Sequence, residues 1–452
     1  MNSTAYRLPP KARIPAPLAA LYFAIGNPRA RSLLRRRYGS AVRIWAPEMG
    51  EVVIVCDPVL VKQIFTAKPE ELAGGGDFNP LSRTLGPNSM FGLDGDEHLR
   101  QRRLLLPPFH GERMGAYAAI FEEETLSEIA TWPEDRDFPA IEGTMRITLN
   151  AILRAVFGAE GAEFDELRAF MPAWVKLGSL LTSAPPLQRD LGRWSPWGRF
   201  LAYRRRYDAI LDRLIARARE DPNLAARSDV LALLLQARDE DGTQMTRAEM
   251  SDQLLTLLVA GHETTAGTLA WAIERLRRHP AVLARLADEI EAGGRELREA
   301  TIYEVQRSRA VIGGAMRRTK QPFALGEWVL PAGMLVIIDG LAIHGNPAIF
   351  PVPERFNPER FLGVKPDTYA WLPFGGGRRR CVGAAFAHLE MDVVLRVLIE
   401  RLELVPTRER GERWRFRGVA FAPSRGGRAR VRRRRRPLEA RPAAREPASV
   451  PA

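Results

Sequence analysis

The feature that most constrains the fold is a long apolar stretch with polar residues at its centre. The segment 254–276, LLTLLVAGHETTAGTLAWAIERL, is mostly apolar. A helix that is apolar on nearly all sides has to be buried inside a large protein. Upstream, Thr246 is followed three residues later by Glu249, the spacing of a capping box. We therefore predict one strong helix from about 246 to 278, lying at the centre of the molecule.

The centre of this stretch holds the polar sequence AGHETT, residues 260–265. A glycine inside a helix costs about 1 kcal/mol relative to alanine, and buried acid and alcohol side chains need partners. A threonine hydroxyl can bond to a carbonyl one turn earlier and open the helix. A surface turn would also accept these residues, but the apolar flanks argue against it. The sequence therefore predicts a functional site here, with Gly261, Glu263 and Thr264 as candidates.

Most of the remaining chain has helical periodicity, with a small amount of strand. Strands are predicted at 42–45 and 52–56, again within 323–339, and near the end of the chain, and Asp57 is expected to cap a helix that begins at Pro58. Helices are predicted at 96–107, 112–131, 141–157, 163–184, 197–219, 280–291, 300–309 and 382–403. The fold class is therefore mainly α with a minor β-sheet.

The candidate motifs lie between residues 98 and 383, so they have to converge from across the chain. This favours one large domain over several small ones. We place that domain at 31–430, after an N-terminal extension at 1–30. Residues 431–452 are rich in arginine and are expected to be a disordered tail.

Composition excludes several classes of protein. The net charge of +13 comes partly from the arginine-rich end, which lacks the interleaved aromatic residues that stack on bases, so a nucleic-acid function is not expected. The apolar run near the N-terminus is far too short to span a bilayer, so no integral membrane anchor is expected. Two cysteines cannot form a disulfide framework, which fits a reducing cytoplasm.

One of the two cysteines, Cys381, follows a glycine-rich loop and precedes an amphipathic helix. The first turn of a helix presents free N–H groups and the positive end of the helix dipole, which lower the pKa of a thiol. Glycines let the backbone approach a flat ligand, and Arg379 is placed to pair with an anionic group. A lone cysteine beside a helix is more often a small buried apolar residue.

The complete pattern is far more specific than the cysteine alone. Phe374, Gly377, Arg379, Cys381 and Gly383 have the spacing F-x-x-G-x-R-x-C-x-G. This segment resembles the haem-binding loop of the cytochrome P450 family at every fixed position, and the resemblance extends from about residue 30 to 430. It implies a single large domain of that family, which buries haem b between the long central helix and the cysteine loop.

The resemblance also implies roles for individual residues. Cys381 would be the axial ligand of the iron, and thiolate ligation favours O–O cleavage. Thr264 would hydrogen-bond dioxygen and organise water, and Glu263 would help to deliver protons. His262 is assigned no role. The other residues implied to bind the cofactor are Ala260, Gly261, Phe374, Gly375, Arg379 and Gly383.

The two haem propionates require cations or hydrogen-bond donors. His98 and Arg102 lie one turn apart on a predicted helix and resemble the aromatic-x-x-x-Arg motif of the family. Arg317 would be a further propionate partner, although the adjacent Arg318 could take its place. Arg379 is the last candidate.

A structural network is implied behind the haem, formed by Glu304, Arg307 and Arg360. This region departs from the family pattern in two ways. Ala310 stands where proline is usual, and the segment 281–303 is short.

The implied activity is monooxygenation: one oxygen atom of O2 would be inserted into a hydrophobic organic molecule. No flavin or iron–sulfur domain is attached, so a ferredoxin or flavodoxin with its NAD(P)H reductase would supply electrons. Such donors are acidic, and Arg378 and Arg380 could dock them, although a solvated surface explains both equally well. Two alternatives remain: a haem-thiolate enzyme that does not use reductase-fed O2 (peroxygenase, coupling or isomerisation), and a non-catalytic haem sensor or carrier.

Overall fold

The computed structural model describes residues 6–46, 49–111, 113–158 and 161–438. The helices within these ranges are α1 Ala16–Ala24, α2 Pro28–Tyr38, α3 Pro58–Thr66, α4 Ser82–Leu85, α5 Gly95–Leu105, α6 Arg113–Ile129, α7 Ala140–Phe157, α8 Ala162–Ser183, α9 Pro196–Glu220, α10 Val230–Gln236, α11 Arg247–Arg278, α12 Pro280–Glu291, α13 Glu296–Ser308, α14 Gly340–His344 and α15 Ala384–Arg401. The strands are β1 Ala41–Ala46, β2 Gly50–Val55, β3 Leu72–Ala73, β4 Phe138–Pro139, β5 Gly314–Thr319, β6 Phe323–Leu325, β7 Trp328–Leu330, β8 Leu335–Asp339, β9 Leu402–Leu404, β10 Trp414–Arg417, β11 Ala420–Pro423, β12 Arg428–Ala429 and β13 Val431–Arg433. The prediction of a mainly helical fold with a minor sheet is confirmed.

The central helix α11 forms as predicted from the sequence. The Thr246 side chain accepts a hydrogen bond from the Glu249 N–H, and the Glu249 side chain accepts one from the Thr246 N–H, so the capping box is present. Most of the helix from 250 to 277 is buried. Its main neighbour is α7, and α15, α13 and β11 also pack against it. This burial on all sides is what the apolar sequence of α11 requires.

The principal sheet holds a second core beside the helices. Its strand order is β1-β2-β8-β5-β3. The β2 and β8 strands are parallel, with Val52 paired to Leu335. Since β2 and β8 are buried on both faces, they are rich in valine and isoleucine. The sheet positions β5, which carries Arg317, and the turn that precedes it.

The N-terminal helices are tied to this sheet. Tyr22 of α1 and Arg31 of α2 both bind the carboxylate of Asp339 at the end of β8, with Arg31 Nη1 at 3.1 Å from Asp339 Oδ2. The other oxygen of Asp339 accepts a hydrogen bond from the Ala342 N–H and caps α14. Residues on both sides of the expected boundary at 30 therefore pack on the same sheet.

The start of the expected arginine-rich tail belongs to the fold. In β13, Val431 pairs with Leu404 of β9, and the Arg433 N–H donates to Glu134. The prediction of a disordered segment beginning at 431 therefore differs from the structure, because backbone pairing in this strand outweighs the high local charge. Residues 439–452 lie outside the described residues. Among the described helices, no segment is long and apolar enough to cross a membrane.

Candidate functional site

The cysteine loop lies against α3 and begins α15. The Cys381 N–H donates to the Phe374 carbonyl at 3.0 Å, which closes the loop. Gly377 has a φ of +62°, and a Cβ on it would lie 2.2 Å from the carbonyl oxygen of Phe65. Only glycine permits that approach. The loop glycines therefore serve partly to pack against α3, while Gly375 and Gly383 have open space around a hypothetical Cβ.

Cys381 is exposed and precedes α15. The surrounding protein raises the pKa of its thiol, whereas the Gly383 N–H, Arg102 and Arg380 act to lower the pKa. The N–H group at the helix start therefore acts on this pKa in the predicted direction, but burial outweighs it and the nearby charges, so the net shift is upward. A coordinating metal ion removes the proton from a thiol outright. Cys56 is 1% exposed and packs behind the principal sheet.

A small cavity of about 40 Å³ next to the loop collects three of the predicted cationic or donor side chains, His98, Arg317 and Arg379. Burial and the charges of Arg379 and Arg102 lower the pKa of His98 to about 3, so its ring is neutral and still has one N–H to donate. Burial lowers the pKa of Arg317 to about 10. In the part of the chain that the structure describes, the Arg317 guanidinium hydrogen-bonds only the Met316 carbonyl.

Arg318 lies on the opposite face of β5 from Arg317 because side chains alternate along a strand. It is exposed and lies over the ring of Phe78, 4.6 Å from its centroid. The alternative that Arg318 exchanges roles with Arg317 is therefore not supported by its position.

Asp94 organises this cavity, and the sequence analysis missed it. Its carboxylate lies 2.7 Å from Arg379 Nη2 and 2.7 Å from Lys320 Nζ, and it accepts a hydrogen bond from the Gly74 N–H. Burial acts to raise the pKa of Asp94, but these partners outweigh it and lower the pKa. Asp94 precedes α5 at a capping position, a signal that could have singled it out, yet its side chain makes no cap bond.

Arg102 lies one turn after His98 on α5, as the spacing predicted. Its Nη1 donates to the carbonyl of Arg380 at 2.6 Å, next to the cysteine. The structure therefore places Arg102 where it holds the cysteine loop. Arg379 is held by the carbonyls of Met90 and Leu93 as well as by Asp94.

The polar centre of α11 borders an internal space. Ala260, Gly261, Glu263 and Thr264 are partly accessible, although nearly all of the surrounding helix is buried. The Thr264 hydroxyl donates to the Ala260 carbonyl at 2.8 Å, the back-bond that the sequence suggested. His262 is 3% exposed, its ring Nδ1 lies 3.1 Å from the Leu258 carbonyl, and it lines the same cleft as Glu263. Burial lowers the pKa of His262 to about 4.

Glu263 reaches a cleft of about 710 Å³ between α6, α7, α8 and α11. Ser179 donates to Glu263 Oε2 at 3.4 Å, and Arg417 Nη2 lies 3.8 Å from Glu263 Oε1. Burial raises the pKa of Glu263, while Arg417 and Ser179 act to lower it. The other charged side chains that line the cleft are Glu124, Glu128, Glu142, Arg146, Arg168 and Lys176. Neither Ser179 nor Arg417 was predicted, since both come from distant parts of the chain.

The predicted Glu304–Arg307–Arg360 cluster is assembled. Arg307 binds Glu304 through two hydrogen bonds of 2.7 Å, and both side chains are almost completely buried. Arg360 Nε lies 3.6 Å from Glu304 Oε1. Arg307 also donates to the carbonyls of His344 and Pro353. The network thus joins α13 to the segments that lead into the cysteine loop.

The two departures from the family pattern leave this network intact. The short segment 281–303 consists of most of α12 and the start of α13, joined by residues 292–295. Ala310 is buried beside Leu341 and Phe421. The carbonyl of the next residue, Val311, accepts a hydrogen bond of 2.7 Å from the Phe421 N–H, which joins the turn after α13 to β11.

Comparison with known proteins decides which family this fold and site represent. The profile of the cytochrome P450 family matches residues 9–426. The chain belongs to the cytochrome P450 family. Cytochrome P450 138 of Mycobacterium tuberculosis is 54% identical over 430 residues, which cover 95% of this chain and 97% of that protein. Cytochrome P450 135B1 of the same organism is 39% identical, covering 94% and 91% respectively.

Solved cytochrome P450 structures share the fold. Retinoic-acid-bound cyanobacterial CYP120A1 superposes with a TM-score of 0.82 at 22% identity, covering 95% of this chain and 100% of that chain. CYP102L1 gives a TM-score of 0.80 at 24% identity, with the same coverage. As a cytochrome P450, the protein is a haem-thiolate monooxygenase that uses O2, an organic substrate and electrons from a redox partner.

The residues of this cytochrome P450 fit an iron protoporphyrin IX. Cys381 is exposed, lies just before the N-cap Gly383 of α15, and receives a hydrogen bond from the Gly383 N–H, so its thiol is available to ligate iron. Arg317 is a buried guanidinium that forms no ion pair among the described residues, which suits an anionic propionate. Neutral His98 adds a donor in the same cavity.

Proposed function

We propose that this cytochrome P450 inserts one oxygen atom of O2 into an apolar organic molecule, with electrons from a separate ferredoxin- or flavodoxin-type protein and its NAD(P)H reductase. The observation that carries the proposal is the intact acid and alcohol at the centre of α11. Thr264 and Glu263 are both partly accessible, and Glu263 lines a polar cleft.

The substrate class is inferred from the apolar residues of the turn that packs against α11. Val311 and Ile312 follow α13, and Phe421 lies in β11 against the same turn. A Cβ on Gly267 of α11 would contact Val311, so this turn packs directly against the central helix. Apolar walls with few polar groups favour an apolar ligand. The polar groups near them, Thr264 and Glu263, are then available for dioxygen and protons.

Each residue of the site has a defined task in this proposal. When bound, the haem iron supplies dioxygen activation, which thiolate ligation favours. Cys381 would hold the iron, and His98, Arg317 and Arg379 would hold the propionates. Arg102 fixes the cysteine loop through the Arg380 carbonyl.

Proton supply is assigned to Thr264 and Glu263. The Thr264 hydroxyl, which donates to the Ala260 carbonyl, would be free to donate to dioxygen instead once the haem is bound. Glu263 takes up protons from water in the charged cleft. Arg417 and Ser179 orient its carboxyl group there.

The class of electron donor is inferred from the positive charge on the surface of the cysteine loop. Arg378 and Arg380 are exposed on either side of the half-buried Arg379. They form a positive surface on the cysteine loop, which suits an acidic protein.

The test begins with the absorbance of the dithionite-reduced protein with carbon monoxide. The wild type should give the strongly red-shifted Soret band of an iron–thiolate bond, and Cys381→Ala should lose it. Cys56→Ala is the matched control, because Cys56 lies behind the sheet, and it should keep the band. A Soret band typical of histidine or thiol ligation in the wild type would contradict the proposal.

Turnover is then measured with apolar compounds selected by their spin-state shift. Thr264→Ala should lower the ratio of product formed to NAD(P)H consumed by about fivefold, since one hydrogen bond is worth about 1 kcal/mol. Arg378→Glu with Arg380→Glu should slow reduction by an acidic donor but not by dithionite. Turnover with peroxide alone would favour the peroxygenase alternative, and haem binding without any turnover would favour a sensor or carrier.

A further inference from the structure

Aromatic side chains form a continuous path from the cysteine loop to α13. The Phe374 ring lies 6.0 Å from that of Trp371 between centroids, and Trp371 lies 5.1 Å from Tyr303. His388 of α15 contacts all three rings. Phe374 is itself part of the loop, since its carbonyl accepts the Cys381 N–H. The path therefore starts at the residue that binds the cysteine backbone.

The two ends of the path differ in their hydrogen bonds. The Trp371 indole N–H donates to the backbone carbonyl of Tyr303 at 3.2 Å. The Tyr303 hydroxyl donates to the carboxylate of Glu299 at 2.5 Å, one turn earlier on α13. Trp371 is 7% exposed, whereas Tyr303 and Glu299 are only half-buried. The path thus ends at a carboxylate that is in contact with solvent.

These hydrogen bonds match the chemistry of one-electron oxidation. Tryptophan and tyrosine are the side chains most readily oxidised by one electron, whereas phenylalanine is not oxidised under such conditions. An oxidised tyrosine releases its phenolic proton, and Glu299 is placed to accept it. A backbone carbonyl cannot take the indole proton, so an oxidised Trp371 would remain a cation and draw an electron from Tyr303.

We propose that Trp371 and Tyr303 form a relay that returns electrons to the haem when it has been oxidised and no substrate is present to consume the oxidising equivalents. The relay rests on the proposed haem-thiolate function. Hydrogen peroxide is the oxidant, and each electron that leaves Trp371 reduces the oxidised haem by one equivalent. Tyr303 then reduces the Trp371 radical cation, and its proton passes to Glu299.

The cycle is completed by an external one-electron reductant of the ascorbate class. It reduces the tyrosyl radical, and the phenol recovers its proton from Glu299. The function of the relay is to protect the haem and the cysteine loop from oxidative damage.

Packing alone explains part of this cluster. Trp371 also belongs to a small buried core with Phe350 and Phe361, and Tyr303 packs edge-on against Phe361. Packing does not require the bond between the Tyr303 hydroxyl and Glu299. The variants that test the relay therefore keep an aromatic ring or an isosteric side chain at each position, and Trp371→Tyr controls for the smaller ring of Trp371→Phe.

The experiment treats substrate-free holoenzyme with hydrogen peroxide and records two signals: the electron paramagnetic resonance spectrum of freeze-quenched samples and the rate of Soret bleaching. The wild type should show a tyrosyl radical. Tyr303→Phe should replace it with a tryptophan radical, and Glu299→Gln should weaken the tyrosyl signal. Trp371→Phe should show no Tyr303 radical, and its Soret band should bleach several-fold faster than that of the wild type.

Two controls separate the relay from a structural effect. Trp132→Phe removes a buried indole that donates to Glu128 and lies far from Trp371 along the chain. The Soret band of this variant should bleach at the wild-type rate. Trp371→Tyr restores an oxidisable ring and should restore protection. Bleaching of Trp371→Phe at the wild-type rate, or the absence of any radical in the wild type, would overturn the relay.

The same samples are examined by the reduced carbon monoxide spectrum. A red-shifted Soret band together with no radical rejects the relay and leaves the proposed function standing. Absence of the band in the wild type rejects the proposed function and the relay with it.

Discussion

Glu390 shows how strongly burial can change a single carboxyl group. It lies on α15, is 1% exposed, and has one carboxyl oxygen with no hydrogen-bond partner in the described structure. Burial raises its pKa well above the ordinary range, and a hydrogen bond with Thr265 of α11 only partly opposes this. The neutral acid is therefore the form that the folded protein stabilises at the contact between these two helices.

The pH dependence of stability tests the state of Glu390. Because its pKa is higher in the folded state than in the unfolded state, its contribution is fully present below the unfolded pKa, near 4.3, and is lost as the pH rises toward the folded pKa. Glu390→Gln should remove that loss. We expect the variant to gain stability relative to the wild type as the pH increases from about 4 to 8, measured by urea unfolding of the haem-free protein.

Glu97→Gln is the control for this measurement, since Glu97 is exposed on α5. It should follow the pH profile of the wild type. A constant difference between Glu390→Gln and the wild type at all pH values would show that Glu390 is charged in the folded protein.

Individual residues of the site could be predicted only where local sequence determines them. The Thr264 back-bond and the Glu304–Arg307 pair involve residues four or three apart on one helix. Asp94 and Arg417 were missed because their partners lie far away in sequence and are brought near only by the complete fold. Neither periodicity nor a local motif in a single sequence reveals such long-range contacts.

At the scale of elements, the long helices could be predicted, whereas only some of the short ones could, such as α3, which Asp57 and Pro58 indicate. The helix predicted at 163–184 is observed at Ala162–Ser183, because its periodicity extends over many turns. Helices α1, α2 and α10 were missed, since short segments give little periodic signal. The helix predicted from 300 begins at Glu296, in a region where the local sequence departs from the family pattern.

The capping box of α11 provides a test at this scale. Thr246→Ala removes the acceptor for the Glu249 N–H and should lower the free energy of unfolding by about 1 kcal/mol. Glu249→Ala should cost more, because Glu249 also accepts hydrogen bonds from Arg100 and Gln101. Thermal unfolding monitored by circular dichroism measures both. Equal stability of Thr246→Ala and the wild type would mean that tertiary packing alone determines where α11 begins.

At the scale of the whole molecule, Asp339 joins the start of the chain to its centre. It binds Tyr22 and Arg31 and also caps α14. Asp339→Asn keeps the shape of the side chain but leaves the buried Arg31 without its counter-charge, so we expect a loss of about 3–5 kcal/mol in stability. Limited proteolysis should then cleave the segment before α2 first.

Glu327→Gln is the matched control for Asp339→Asn. It removes an exposed ion pair with Arg7 and should cost less than about 1 kcal/mol. If Asp339→Asn resists proteolysis as well as this control does, the contacts of α1 and α2 do not depend on Asp339.

The parallel pairing of β2 with β8 also has a consequence during synthesis. About 280 residues separate Val55 from Leu335 along the chain. At roughly 5–20 residues per second, a ribosome needs about 15 to 60 seconds to synthesise the residues between them. Throughout that interval the β1–β2 hairpin has no neighbour on one edge, and α1 and α2 have no Asp339 to bind. The first fifty residues to leave the ribosome are therefore among the last to reach their final contacts, and chaperones have the longest opportunity to bind them.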